Sequence, residues 1–149
     1  MAMISPEKPR VMIDANVLFA GAASASEYGA SLVVLRLAEI TLIHAIASEQ
    51  VVIEVERNLT AKFPKALPAY QLLVNRCLSV VTDPTALEVK PYVGLANLKD
   101  LPILVTAVRE HCPWLVTFNL RHFQPSHPDV VVLQPGTFVQ RVRHLLSGL

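Results

Sequence analysis

Short runs rich in aliphatic and β-branched residues alternate along this chain with segments whose apolar spacing is helical. The runs predicted as strands are 11–13, 40–46, 78–81, 114–118 and 130–133. The segments predicted as helices are 27–40, 49–62, 67–76, 100–111 and 137–146. Strands that alternate with helices of this length pair in parallel and carry helices on both faces. We therefore predict one domain over residues 1–149, an α/β protein built as a three-layer α/β/α sandwich around a central, mostly parallel sheet.

Capping and helix-breaking residues set the predicted boundaries. Ser26 and Ser48 are good N-caps for the first two helices, and Pro64 ends the second. Asp100 opens a later helix with Pro102 in its first turn, where the missing N–H does no harm. The segments predicted as loops are 21–25, 91–97 and 123–129.

The composition is apolar for a soluble domain, with 52% hydrophobic residues. No uncharged apolar run reaches the roughly 18 residues that a membrane span requires. The first ten residues include Glu7, Lys8 and Arg10 and lack the apolar segment of a signal peptide. We therefore expect a cytoplasmic protein whose excess apolar surface contacts another protein chain. The net charge of +1 gives no global basic field for nucleic acid, and Cys77 and Cys112 lack metal-ligand spacing.

A carboxylate ends the first predicted strand. Val11 to Ile13 are apolar, Asp14 follows them, and a second apolar patch begins at Val17. An acid in this position lies at the carboxyl edge of the sheet, where open α/β sheets bind ligands. Asp14 is therefore either the first member of an acidic metal site or the N-cap of the next helix, and the pattern alone does not choose.

Other polar side chains are predicted at or near the same edge. In helix 49–62, Glu54 and Glu56 lie on either edge of the apolar stripe, so periodicity does not choose between them and ordinary solvated acids remain the default. Asp100 heads the apolar stripe of its helix, as an N-cap or as a site residue. Asn119 follows the fourth strand at the edge that carries Asp14. Carboxylates that meet there repel unless a cation lies between them, and oxygen ligands of this kind suit Mg²⁺ or Mn²⁺.

Five stretches resemble, in order, the motifs of the PIN-domain ribonucleases, a family that includes the VapC-like toxins of prokaryotic toxin–antitoxin pairs. These stretches are 14–18, 48–59, 99–104, 116–123 and 133–138. The resemblance implies a PIN-like fold and cleavage of RNA phosphodiester bonds with Mg²⁺ or Mn²⁺ as cofactor. It also implies an antitoxin protein that covers the acidic pocket, and a homodimer.

The resemblance also assigns roles to individual residues. Asp14, Glu54 and Asp100 match the three acids that hold the metal. This match, and not the helical wheel, is the reason for preferring Glu54 to Glu56. The polar positions that match site-orienting residues are Asn16, Ser48 and Thr117.

The fourth acidic position departs from the family pattern. Family members commonly carry Asp in place of Asn119, in place of His122 or at both, and this chain has neither. Asn119 can still hold a catalytic water through its amide. Arg121 and His122 are candidates for phosphate contact, or equally loop residues without a role. One missing negative charge weakens the binding of a second ion, so a catalytically weakened PIN domain that binds RNA or protein is the alternative function.

The remaining conspicuous side chains are predicted to be structural. His44 is expected to be a hydrogen-bonded core histidine, and Trp114 and Phe118 to be core residues rather than base-stacking platforms. A receiver-like signalling domain is a third interpretation. The single acid after the first strand disfavours it, because such domains carry an acidic pair there.

Overall fold

The computed structural model describes residues 8–23 and 29–148. Its strands are β1 (Arg10–Ile13), β2 (His44–Ser48), β3 (Leu78–Val81), β4 (Trp114–Val116) and β5 (Val131–Leu133). They form one sheet in the order β3-β2-β1-β4-β5, and each neighbouring pair is parallel. The predicted three-layer α/β/α fold around a parallel sheet is confirmed.

Helices connect these strands. They are α1 (Ala15–Ala23), α2 (Ala30–Glu39), α3 (Glu49–Lys62), α4 (Leu67–Cys77), α5 (Ala86–Val89), α6 (Leu101–Arg109) and α7 (Pro135–Ser147). Short 3-10 turns cover Pro64–Ala66, Lys90–Tyr92 and Leu120–Phe123. None of the helices in the described part of the chain is long and apolar enough to cross a membrane.

The helices lie on both faces of the sheet. Helices α1 to α4 pack against one another and α7 packs on α2, whereas α5 packs on α6. The chain moves outward from β1 to β2 and β3, then crosses back to β4 on the other side of β1. Because parallel crossovers are right-handed, this reversal puts α6 on the face opposite α3.

Helix α1 is not among the helices that the sequence pattern predicted. Residues 21–25 were predicted as a loop because they are small, yet α1 continues to Ala23. The small residue is used for packing instead: a Cβ on Gly21 would lie 2.5 Å from Cδ1 of Leu35 in α2. Gly21 thus lets α1 and α2 approach closely. The predicted helix start at 27 and its cap Ser26 fall outside the described residues, and α2 is described from Ala30.

Strand β2 starts later than predicted and runs further. Residues 40–46 were predicted as a strand, but the first of them form the turn after α2, and β2 begins at His44. Thr41 has a φ of 65°. That left-handed conformation is incompatible with an extended strand. Ser48 is both the last residue of β2 and, as predicted, the N-cap of α3.

Three other segments differ from the prediction. Helix α5 was not predicted, although Thr85 and Glu88 form a reciprocal capping box at its start. The segment 91–97, predicted as a loop, begins inside a 3-10 turn. Strand β4 ends at Val116, two residues earlier than predicted, so Phe118 lies outside the sheet.

His44 is a hydrogen-bonded histidine, as predicted, at the amino end of β2. Its Nε2 lies 2.7 Å from Oγ of Ser79, and Nη1 of Arg10 lies 3.1 Å from its Nδ1. Because a guanidinium only donates, Nδ1 accepts and the ring proton lies on Nε2. Burial and the positive charge of Arg10 lower the pKa of His44. This residue stabilises the edge of the sheet opposite the one that carries Asp14.

Candidate active site

Buried polar side chains concentrate at the carboxyl edge of the sheet. Five polar residues of the described chain are buried: Asp14, Ser31, Ser48, Thr106 and Thr117. Three of these end or directly follow a central strand: Asp14 after β1, Ser48 in β2 and Thr117 after β4. Strands β1 and β4 are neighbours at the point where the strand order reverses, which is where open α/β sheets bind ligands.

Asp14 is the most buried acid of this edge, with 5% of its surface exposed. Its Oδ1 accepts a hydrogen bond from the backbone N–H of Ala15 at 2.7 Å. Its Oδ2 accepts one from the hydroxyl of Thr117 at 2.7 Å. The Asp14 carbonyl accepts from the N–H groups of Val17 and Leu18, so the residue also starts α1. The two sequence interpretations are therefore compatible: Asp14 begins a helix and presents a buried carboxylate.

The pKa of Asp14 is raised, chiefly because burial disfavours the charged form. The hydrogen bonds from Thr117 and Ala15 oppose this shift. The negative charges of Asp100 and Glu54 add to it. These two acids come from α3 on one face of the sheet and from the start of α6 on the other. The structure thus brings Asp14, Glu54 and Asp100 into one electrostatic neighbourhood.

Glu54 and Glu56, between which periodicity does not choose, have different surroundings in the structure. Glu56 acts electrostatically on Tyr70 of α4, whose pKa is raised, first by burial and then by the charge of Glu56. It lines a groove between α3 and α4 together with Tyr70. Glu54 is the acid of α3 that acts on Asp14.

The hydroxyl of Thr117 takes part in most of the hydrogen bonds around Asp14. Its hydroxyl donates to Asp14 and accepts from the backbone N–H of Asn119 at 3.0 Å. The side-chain amide of Asn16 lies 3.4 Å from the same oxygen. The Oδ1 of Asn16 accepts from the N–H of Phe118 at 3.3 Å. The side chains of Asn16 and Thr117 thereby tie the first turn of α1 to the end of β4.

Ser48 acts further from the carboxylate. Its Oγ accepts from the N–H of Val51 at 3.4 Å, and it is almost fully buried at the start of α3. An N-cap of this kind satisfies one of the free N–H groups of the first turn and sets the helix start. Ser48 therefore orients the helix that carries Glu54, rather than contacting Asp14 itself.

Asp100 is held by His122. Its Oδ2 lies 3.1 Å from Nδ1 of His122, and its carboxylate makes no capping hydrogen bond to the described backbone of α6. The carbonyl of His122 accepts from the N–H of Asn97 at 2.8 Å, which ties the turn Leu120–Phe123 to the segment before α6. The side chain that replaces an acid in this chain therefore positions another acid. Asn119 and Arg121 are exposed in the same region.

The oxygen atoms that these acidic side chains present are of the kind that a divalent cation binds. The donors to Asp14 are an amide N–H and a hydroxyl, and none of the ion pairs among the described residues joins Asp14 or Glu54 to Lys or Arg. Within residues 8–23 and 29–148, however, no three His, Cys, Asp or Glu side chains close on a common point. Mg²⁺ usually takes only one or two carboxylates and several waters, so this more open arrangement remains compatible with it.

Phe118 is the site feature that the sequence pattern assigned wrongly. It was predicted to lie in the core, yet 44% of its surface is exposed. The strand ends two residues before it, and Thr117 turns its side chain inward to Asp14. Alternation offered no signal here, because Leu115, Val116 and Thr117 are all buried, as is usual for a central strand of a parallel sheet. Trp114 is half-buried and packs edge-on against Phe138, as expected for a core residue.

Comparison with known proteins adds the family context. The family model described as PIN domain matches residues 10–121. The fold is similar to that of a chain in the crystal structure of VapBC2 from Rickettsia felis bound to a DNA fragment from their promoter, with a TM-score of 0.59 and 16% identity. That match covers 83% of this chain and 96% of the other. No curated protein matches the sequence significantly.

Proposed function

Because this chain belongs to the PIN domain family, we propose that it is a divalent-metal-dependent endoribonuclease that hydrolyses RNA phosphodiester bonds. One observation carries the proposal: Asp14 is buried without a Lys or Arg partner among the described residues, and the charges of Glu54 and Asp100 act on it. A buried carboxylate in a negative field is costly to ionise. A bound cation relieves that cost, and Mg²⁺ or Mn²⁺ are the ions that we propose.

The residues of the chain then have separate tasks. A divalent cation, when bound, neutralises phosphate charge and makes water a better nucleophile. Asp14, Glu54 and Asp100 would hold it, with Thr117 keeping Asp14 in place and His122 keeping Asp100 in place. Asn119 is exposed at the mouth of the site, where its amide can orient a water. Arg121 is exposed in the same turn and is the side chain that we assign to phosphate contact.

We further propose that the protein is the toxin of a toxin–antitoxin pair that acts in the cytoplasm. The similarity of its fold to a chain of VapBC2 supports this assignment. An antitoxin protein that covers the acidic pocket is the partner that the proposal requires. We also propose that residues 1–149 form a single PIN-like domain that pairs as a homodimer, because large apolar side chains such as Leu87 and Ile53 are exposed.

Metal removal tests the proposed activity. We expect the purified protein to cleave an RNA oligonucleotide in Mn²⁺ or Mg²⁺ and to stop cleaving when EDTA is added, with recovery after Mn²⁺ is restored. Gel analysis of end-labelled RNA measures this directly. A DNA oligonucleotide of the same sequence is the control that tests whether cleavage requires ribose. Cleavage at an equal rate in EDTA contradicts the proposal, because the three carboxylates have no other role in the mechanism.

A catalytically weakened PIN domain that binds RNA or protein is the second candidate function. Two observations favour it: Asn119 is uncharged, and the Asp100 carboxylate is already engaged by His122. We expect Asn119→Asp to increase the rate of RNA cleavage and to lower the Mn²⁺ concentration at half-maximal activity, because it adds a negative oxygen ligand. Asn58→Asp, which adds the same charge on α3, is the control. An unchanged rate in Asn119→Asp indicates that the three acids suffice.

A further inference from the structure

Phe118 differs from the other aromatic side chains of the described chain. Pairs of rings pack together at Phe19 and Phe63, at Tyr92 and His127, and at Trp114 and Phe138. Phe123 and Tyr70 are almost fully buried. Phe118 has no ring partner among the described residues and keeps 44% of its surface in solvent. An exposed ring of this kind is available to an external partner.

Two hydrogen bonds hold the backbone beneath this ring. The N–H of Phe118 donates to Oδ1 of Asn16, and the next N–H, that of Asn119, donates to the hydroxyl of Thr117. That hydroxyl in turn binds the Asp14 carboxylate. Consecutive Cα atoms are about 3.8 Å apart, so the ring begins one residue away from the group that positions Asp14. A nucleotide whose phosphate lies at the carboxylates has a base within reach of the ring.

Two exposed cationic side chains, Arg121 and Lys99, lie on segments close to Phe118 in the chain or linked to its turn. Arg121 lies in a tight turn. In this turn the backbone N–H of His122 donates to the carbonyl of Asn119 at 3.1 Å. Lys99 is exposed directly before Asp100, the partner of His122. Proteins that bind single-stranded nucleic acid without reading its sequence combine two features: aromatic rings that stack on the bases and cations along the phosphate backbone. The rim formed by Phe118, Arg121 and Lys99 has both components.

We infer that Phe118 is a stacking platform for an unpaired nucleobase next to the scissile phosphate. The inference rests on the proposed function for the position of the phosphate. It adds the side chain that holds the base beside the cleavage site. A base inside a duplex offers no free face to the ring, whereas a base in a loop or a single strand does.

Binding measurements without metal test the inference separately from cleavage. The probes are a fluorescein-labelled single-stranded RNA and a blunt duplex of the same sequence, both in EDTA. We expect Phe118→Ala to weaken binding of the single strand by about 5-fold to about 150-fold, the range for loss of one base–aromatic stack. Phe118→Trp should restore it. Leu145→Ala, which removes another exposed apolar side chain, is the control and should bind as the wild type does.

A fluorescent base reports the contact directly. With 2-aminopurine placed at successive positions of the single strand, stacking on the ring should quench one position in the wild type and in Phe118→Trp but not in Phe118→Ala. The inference is overturned if Phe118→Ala binds the single strand as the wild type does, or if it loses the same factor on the duplex. Unchanged RNA binding together with weaker binding of a protein partner would assign the ring to that partner instead.

The two proposals fail in different ways. If Mn²⁺-dependent cleavage is present and Phe118→Ala leaves RNA binding unchanged, the nuclease stands and the stacking platform falls. If the wild type binds the single strand through Phe118 but does not cleave it, the platform stands and the nuclease falls. If the wild type neither binds nor cleaves RNA, both fall.

Discussion

Asp14→Asn is expected to abolish metal-dependent RNA cleavage while leaving the fold intact. The amide keeps an oxygen that can accept the N–H of Ala15, but it removes the negative charge of the acid on which the charges of Glu54 and Asp100 act. Loss of a group that merely orients a metal ligand typically lowers metal affinity or activity 10- to 100-fold. We therefore expect loss of the ligand itself to lower the rate of cleavage by more than about 100-fold.

Metal binding can be read in the same variant without any substrate. Saturating Mn²⁺ should raise the melting temperature of the wild type, since a ligand at about 100 times its Kd stabilises the folded state by about 2.7 kcal/mol. Asp14→Asn should lose most of this shift. Glu56→Gln removes an acid from the same helix as Glu54 but on the side that faces Tyr70, and should keep both the shift and the activity. Equal activity and equal Mn²⁺ stabilisation in Asp14→Asn would contradict the proposed site.

The metal-free stability of this variant gives a further check. The folded-state pKa of Asp14 is raised above its ordinary value of 3.8, so ionising it costs the folded protein stability as the pH rises above about 4. Asparagine does not ionise. The metal-free variant should therefore be at least as stable as the wild type at neutral pH, which separates loss of activity from loss of fold.

Thr117→Val is expected to have the second largest effect, although the two side chains have nearly the same shape. Valine removes the donor to Oδ2 of Asp14 and the acceptor for the N–H of Asn119. A buried acceptor left without its donor costs about 1–3 kcal/mol of folding stability. Because the lost hydrogen bond lowers the pKa of Asp14, its removal raises that pKa further. We expect cleavage to fall about 10- to 100-fold, with the acidic limb of its pH profile moved to higher pH.

Two companion variants identify the hydroxyl as the cause. Thr117→Ser keeps the oxygen and should retain most of the activity and the wild-type pH profile. Thr106→Val removes a hydroxyl that is equally buried but donates only to the carbonyl of Pro102, at 2.7 Å, so it should change stability without changing the pH profile. A pH profile that is unmoved in Thr117→Val would show that Thr117 does not set the state of Asp14.

The fold follows from local sequence patterns because each pattern reports burial and period. Alternating strand-like and helical segments predicted the parallel sheet, and carboxyl ends of parallel strands share one edge. That rule alone predicts that Asp14 lies beside the residues after β4. The membership of the PIN domain family, predicted from five ordered motifs, is confirmed by the match over residues 10–121.

Packing between distant segments decided the rest. A helical stripe has two edges, so periodicity could not distinguish Glu54 from Glu56. In the structure Glu56 lines the α3–α4 groove, whereas the charge of Glu54 acts on Asp14. Small residues near Gly21 suggested a loop, but they serve the close approach of α1 and α2. The pairing of His122 with Asp100 joins two segments far apart in the chain. The sequence by itself determined the architecture and the edge where the chemistry lies, because these depend on local periodicity. Only the tertiary structure decided which side chains meet there, because that depends on how whole helices pack.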